Sequence, residues 1–158
     1  MSGIDGGAIR AERYDDRLGF VGQVTSVDAS FFTSLVDAGV IPVVAPIGLE
    51  PPSQALNINA DTVAGELARA VEADRLLFLT DVDGLMDAGG TVVRALGVRQ
   101  AVALREEGVL AGGMIPKVDA CFRAAEVGTE SYIANGTLPG TVQRLFSDER
   151  PGTHVGGD

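Results

Sequence analysis

RLLFLTDVDG, residues 75–84, says more about the architecture than any other segment. Leu76, Leu77, Phe78 and Leu79 are consecutive large apolar residues over one strand length, ended by the polar turn Asp81-Val82-Asp83-Gly84. A strand with one wet face would alternate apolar and polar residues. A continuous run implies cover on both faces, the habit of strands in α/β sheets.

The flanking chain supplies that cover. Upstream, Val63, Ala64, Leu67, Ala68 and Val71 fall on one side of a helix predicted over 60–72. Before it, Val40–Ile47 (VIPVVAPI) is a second continuous apolar run, predicted as another doubly buried strand. A helix over 28–38 precedes that, with Asp28 as its cap, Phe31, Phe32, Leu35 and Val36 as its apolar stripe and Gly39 at its close. Residues 1–26 are glycine-rich, with apolar pieces that suit short strands and turns. Downstream, the turn Asp87–Gly90 leads into a short strand at Thr91–Val93, and helices follow over 98–107 and 117–127. Val118, Cys121, Phe122 and Ala125 give the second of these its buried stripe. A strand at 131–134, a helix at 141–146 and a strand at 153–155 complete the pattern. Strands alternating with amphipathic helices predict an α/β fold, a three-layer αβα sandwich with a mostly parallel sheet. At 158 residues the chain is sized for one domain, 1–158.

Composition limits the function. With 22 acidic against 12 basic residues the formal charge is −10, a field that opposes nucleic acid and anionic membranes as partners. The single cysteine leaves no internal disulfide framework, and no apolar run approaches bilayer length. The expected setting is the cytoplasm. No Cys/His cluster has metal-ligand spacing, so no protein-held metal is expected.

Ligands of open α/β sheets gather at the carboxyl ends of strands. Three segments there carry candidate chemistry. Asn57-Ile58-Asn59-Ala60-Asp61 opens a helix with two amides and a carboxylate, which suits an anionic substrate beside an oriented cation; the plainer reading makes Asn59 an N-cap and Asp61 a first-turn carboxylate. Thr80-Asp81-Val82-Asp83-Gly84-Leu85 suits a nucleotide, or is an Asx-type turn with no ligand. Gly112-Gly113-Met114-Ile115-Pro116-Lys117 brings a bare backbone to a helix start, where Lys117 opposes the helix dipole unless an anion lies between them. A solvated lysine is the alternative. Neither a P-loop nor a dinucleotide fingerprint is present. Cys121 sits on the apolar stripe and His154 near the tail, and neither is assigned a role.

Taken in order, Gly19–Asp28, Ile41–Gly48, Asn57–Asp61, Leu79–Leu85 and Gly112–Val118 resemble the acetylglutamate kinases of the amino acid kinase superfamily, and these stretches span nearly the whole chain. The resemblance implies transfer of the ATP γ-phosphoryl group to the side-chain carboxylate of N-acetyl-L-glutamate, a step of arginine biosynthesis. It implies that Asn57, with Asn59 beside it, binds acetylglutamate, that Asp61 orients catalytic lysines and that Lys117 stabilises the transferred phosphoryl group. Asp81, Val82, Asp83, Gly84, Leu85 and Met86, with Val109, Leu110, Ala111 and Gly113, are expected to line the ATP site. Mg²⁺ is expected to travel with the nucleotide, held by its phosphates.

Members of that family are about twice this length, and their N-terminal half brings a glycine-rich phosphate loop and a first catalytic lysine. Lys117 is the only lysine here. The chain is therefore expected to be the nucleotide-binding C-terminal lobe, dependent on a complementing N-terminal half, with homo-oligomer formation also open. Ala134–Gly140 departs from the family's Asp-Gly-Arg and Pro-His pattern, so arginine feedback is not implied. Two other readings stay open: a sister kinase acting on an acetylaminoadipate-type or other carboxylate or carbamate, and a non-catalytic nucleotide-binding module.

Overall fold

The computed structural model describes residues 1–156. It confirms an α/β chain, which divides into two compact units, Met1–Val71 and Glu72–Asp158.

The first unit holds β1 (Ile9–Arg13), β2 (Gly22–Val27), α1 (Ala29–Asp37), β3 (Ile47–Glu50), β4 (Gln54–Asn57) and α2 (Ala60–Ala70). Its sheet has the order β2-β1-β3-β4. The outer pairings are antiparallel and the central one, β1 with β3 through Arg10 and Leu49, is parallel. Ile9, Ala11, Leu56 and Ile58 form the buried floor, onto which Phe32 of α1 and Val63 of α2 pack. Asp28 starts α1 as expected, its carboxylate accepting from the Phe31 N–H at 3.2 Å and the Ser30 hydroxyl at 2.6 Å.

The apolar run at 40–47 does not form the expected doubly buried strand. Strand β3 begins only at Ile47, and residues 40–46 are irregular, tied to the N-terminus by Met1 N to Val43 O (3.0 Å) and Ala45 N to Met1 O (2.9 Å). Ile41 is 88% exposed and Val43 79% exposed. Pro42 and Pro46 each remove a backbone donor, which disfavours a place within a sheet. Strand β4 adds a hairpin that the sequence conceals, because Gln54-Ala55-Leu56-Asn57 carries a single large apolar residue behind two prolines.

The second unit holds β5 (Arg75–Thr80), β6 (Ala95–Leu96), α3 (Val98–Glu106), α4 (Met114–Ala125), β7 (Glu130–Asn135), α5 (Thr141–Leu145) and β8 (Thr153–Val155), with strand order β5-β7-β8-β6. Strands β5 and β7 run parallel from Arg75 opposite Glu130 to Thr80 opposite Asn135. Strand β8 joins β7 antiparallel and β6 parallel, so this sheet too is mixed. Ser131 to Ala134 are all buried, as a strand covered on both sides requires. Tyr132 and Ala134 share one face with Leu145 of α5. On the opposite face Phe78, in register with Ile133, lies under Lys117 of α4. Helices thus lie on both sides of the sheet, but β5 stands at its edge. Within β5 only Leu76 and Phe78 are buried, while Leu77 is half-buried and Leu79 49% exposed, so double burial holds for β7 and not for 75–80.

Two boundaries differ from expectation. The short strand lies at Ala95–Leu96, while Val92 makes only an isolated bridge to Met86. Helix α4 starts at Met114 rather than 117, because a proline in a first turn loses no intrahelical bond and Pro116 is accommodated there. Among the described residues no helix is long and apolar enough to cross a membrane.

Candidate functional site

In the first unit, the segment expected to bind the acceptor connects β4 to α2. Asn57 closes β4, its N–H bonded to Phe20 O at 2.8 Å and its side chain exposed. Ile58 is buried, which turns Asn57 and Asn59 outward on either side of it. Asn59 caps α2, its Oδ1 accepting from Thr62 N at 3.1 Å. The plainer reading of Asn59 is therefore realised, and its amide N–H groups remain outside that cap bond. Asp61 is half-buried in the first helical turn, where a carboxylate favours the positive end of the helix dipole.

In the second unit, the carboxyl ends of β5 and β7 lie side by side. Gly136 N donates to Thr80 O at 2.8 Å, continuing the ladder past its last register pair. Beyond it, Asp81, Val82 and Asp83 are exposed while Gly84 and Leu85 are buried. The loop therefore divides into an exposed rim and a buried anchor. Leu85 N donates to Thr153 Oγ1 of β8 at 2.9 Å. Gly84 has φ +149, and a Cβ there would stand 2.7 Å from the same Thr153 oxygen, so only glycine fits. Met86 is half-buried at its bridge to Val92. The rim is held as well. Thr80 Oγ1 donates to Asp81 Oδ1 at 3.1 Å, and Asn135 Nδ2 donates to Asp83 Oδ1 at 2.8 Å.

The remaining candidates lie between α3 and α4. Leu110 is 1% exposed, so its side chain belongs to the core, and Val109 is half-buried; both N–H groups are bonded to Leu104 O at 2.9 Å. Ala111, Gly112 and Gly113 are exposed. Gly112 adopts φ +57, and nothing lies within 4 Å of a Cβ built there or on Gly113, leaving open space before the helix. The N–H groups of Met114 and Ile115 reach the loop carbonyls of Ala111 and Gly112 only at 3.3 Å, long for such bonds. Lys117 closes the first turn, half-buried, with Nζ 5.8 Å from the centre of the Phe78 ring. That ring is an apolar platform, with a cation–π attraction of roughly 0.5–1 kcal/mol at such an accessible position. One ammonium and the amino end of a helix thus lie over β5. Such a place can receive phosphate oxygens.

The family described as the amino acid kinase family matches residues 1–135. The chain belongs to that family. Among its relatives, the acetylglutamate kinase of Moorella thermoacetica is 44% identical over 149 residues, covering 91% of this chain and 50% of the relative. The acetylglutamate kinase of Heliobacterium modesticaldum is 40% identical over 172 residues, covering 98% of this chain and 58% of the relative. The chain thus spans about half the length of the curated relatives it matches. The solved N-acetylglutamate synthase of Neisseria gonorrhoeae, complexed with coenzyme A and L-arginine, superposes with a TM-score of 0.85 at 24% identity, covering 100% of this chain and 38% of that one. At that identity the likeness speaks for the fold.

Within this member of the amino acid kinase family, sequence reasoning passed over Asn135, which joins two loops at the strand ends. Its Oδ1 accepts from the N–H and hydroxyl of Thr137 at 2.9 and 2.6 Å while its Nδ2 holds Asp83. The Asn-Gly-Thr pattern at a strand end was the available signal, since asparagine forms such turns with residues two positions on. Arg94 and Arg144, which line a neighbouring cleft, gave no sequence signal because their spacing has no local pattern. The two aspartates with shifted titration lie elsewhere. Asp15 is lowered by its bonds to Arg17, and Asp28 by the Ser30 hydroxyl and then the Phe31 N–H.

Proposed function

We propose that the chain provides the nucleotide-binding portion of an acetylglutamate-type kinase, which moves the γ-phosphoryl group of ATP onto the side-chain carboxylate of N-acetyl-L-glutamate. The observation that carries this reading is Lys117 on the first turn of α4, above Phe78, behind the open Gly112-Gly113 approach. Identity of 44% to a relative named acetylglutamate kinase favours that acceptor over other carboxylates.

In this reading Lys117 neutralises charge on the phosphoryl group as it transfers, and backbone N–H groups around Gly113 approach its oxygens. The 81–86 turn and the 109–111 backbone border the nucleotide. Asn57 and Asn59 offer amide donors to the acceptor's carboxylate, and Asp61 serves to orient a cation. In this reading Mg²⁺ is carried by the phosphates of the nucleotide. Bound there, Mg²⁺ would supply charge neutralisation across the phosphates. Transfer that relies on positioning and charge is served by more than one cation, and Lys117 is the single lysine of this sequence, so a second lysine would come from a complementing half.

The test is ATP-dependent acyl phosphate formation, trapped with hydroxylamine, on N-acetyl-L-glutamate, an acetylaminoadipate and carbamate. Each is assayed with the chain alone and with the complementing half of a relative. Complemented turnover preferring N-acetyl-L-glutamate and lost in Lys117→Ala is the expected result. Preference for a longer acceptor would reassign the substrate, and ATP binding with no turnover in any combination would favour a nucleotide-binding module.

A further inference from the structure

Arg94 and Arg144 line a single cleft within the second unit, shared with Asp83, Asn135, Leu138 and Thr141 and about 190 Å³ in volume. We infer that this cleft, which adjoins the nucleotide loop through Asp83, is a binding site for a compact oxyanion, a carboxylate or a phosphate, on the α5 side of the sheet. Two arginines lining one cleft set two positive charges around it, and neither is fully matched within the protein. No ion pair or hydrogen bond engages the Arg94 guanidinium among the described residues. Arg144 Nη1 is 3.9 Å from Glu149 Oε2, the outer limit of an ion pair, and the Glu149 side chain is 67% exposed. Its Nη2 is 3.4 Å from Thr141 Oγ1, whose own proton is directed to backbone oxygens of Asn135 (2.7 Å) or Leu138 (3.1 Å).

Asp83 is the one carboxylate lining the cleft, and its Oδ1 already accepts from Asn135. The balance is two arginine cations against one tied anion, in a chain whose formal charge is −10. Planar guanidinium forks match carboxylate and phosphate oxygens in pairs. The cleft is also distinct from the place assigned to the transferred phosphoryl group. Thr141 and Arg144 belong to α5, which packs on the Tyr132 and Ala134 face, whereas Lys117 lies over Phe78 on the other.

The experiment is an amide-shift titration of the chain with inorganic phosphate and, separately, acetate, at ionic strength held constant with chloride. Saturable shifts at Arg94, Leu138 and Gly152 are expected. Arg94→Gln and Arg144→Gln should each weaken binding roughly tenfold. Arg144→Lys, which keeps charge but not the fork, guards against a folding artefact and should fall between. Phosphate alone binding would identify a phosphorylated small molecule as the source, and acetate alone an organic acid; either supports the site. Shifts that never saturate, shifts confined to Gly113–Lys117, or unchanged binding in both glutamine variants would overturn it. The ATP·Mg²⁺ response at Gly113 is read on other residues, so failure here leaves the kinase reading intact.

Discussion

Asn135 Nδ2 donates to Asp83 Oδ1 at 2.8 Å, linking residues 52 positions apart and fastening the turn after β5 to the end of β7. The nucleotide loop assigned to residues 81–86 is therefore held from two sides. Asn135 grips its rim, and Thr153 anchors it through Leu85 N at 2.9 Å.

Removing the grip should leave the fold standing and loosen the rim. Asn135→Ala is expected to weaken ATP·Mg²⁺ binding about three- to tenfold, the worth of one ordinary hydrogen bond. Isothermal titration checks this, and Asn135→Asp, which sets a second carboxylate against Asp83, should weaken binding further.

The anchor should behave in the opposite way. Gly84→Ala places a methyl group 2.7 Å from Thr153 Oγ1 at a φ of +149°, and is expected to cost about 1–3 kcal/mol of stability. Thr153→Val leaves the buried Leu85 N–H without its acceptor, with an expected cost of about 1–3 kcal/mol. Thermal melts of the two variants measure both.

Much of this arrangement was legible beforehand. Leu76–Leu79 announced a strand, and the structure places one there with Leu76 and Phe78 buried, but its edge position leaves Leu79 exposed, a point no local apolar run reports. Asp28 and Asn59 were readable as caps because a short polar side chain before an apolar stripe has one dominant use. Val40–Pro46 misled, since composition reports a taste for burial and not whether neighbours exist to provide it. The Asn135–Asp83 bond was invisible for a similar reason: it depends on the parallel register of β5 and β7, which no local pattern encodes.

Asn59 has two assigned tasks that mutation can separate. Asn59→Ala should cost about 1 kcal/mol by uncapping α2, and Asn59→Ser should restore most of it. If the amide also meets the acceptor, the serine variant will keep its melting temperature while the KM for the carboxylate rises. A KM that tracks stability alone in both variants would leave Asn59 as a cap only.

Acid should act on α1. The Ser30 hydroxyl and then the Phe31 N–H hold the Asp28 carboxyl below its ordinary value, so the charged form is favoured in the folded chain. That stabilisation is complete above the unfolded carboxylate pKa, about 3.9, and drains away as pH falls through the lower folded value. Asp28→Asn can still cap but cannot titrate. Its melting temperature should therefore fall less steeply below about pH 4 than that of the wild type, followed by circular dichroism.

The lone lysine over the Phe78 ring is the centre of the account, and a titration of the chain with ATP·Mg²⁺ followed at backbone amides tests it most directly. Saturable shifts at Gly113 and at residues 81–83, with those at Gly113 diminished in Lys117→Met, are the expected result. Silence at both places, or a Lys117→Met response identical to that of the wild type, would contradict it.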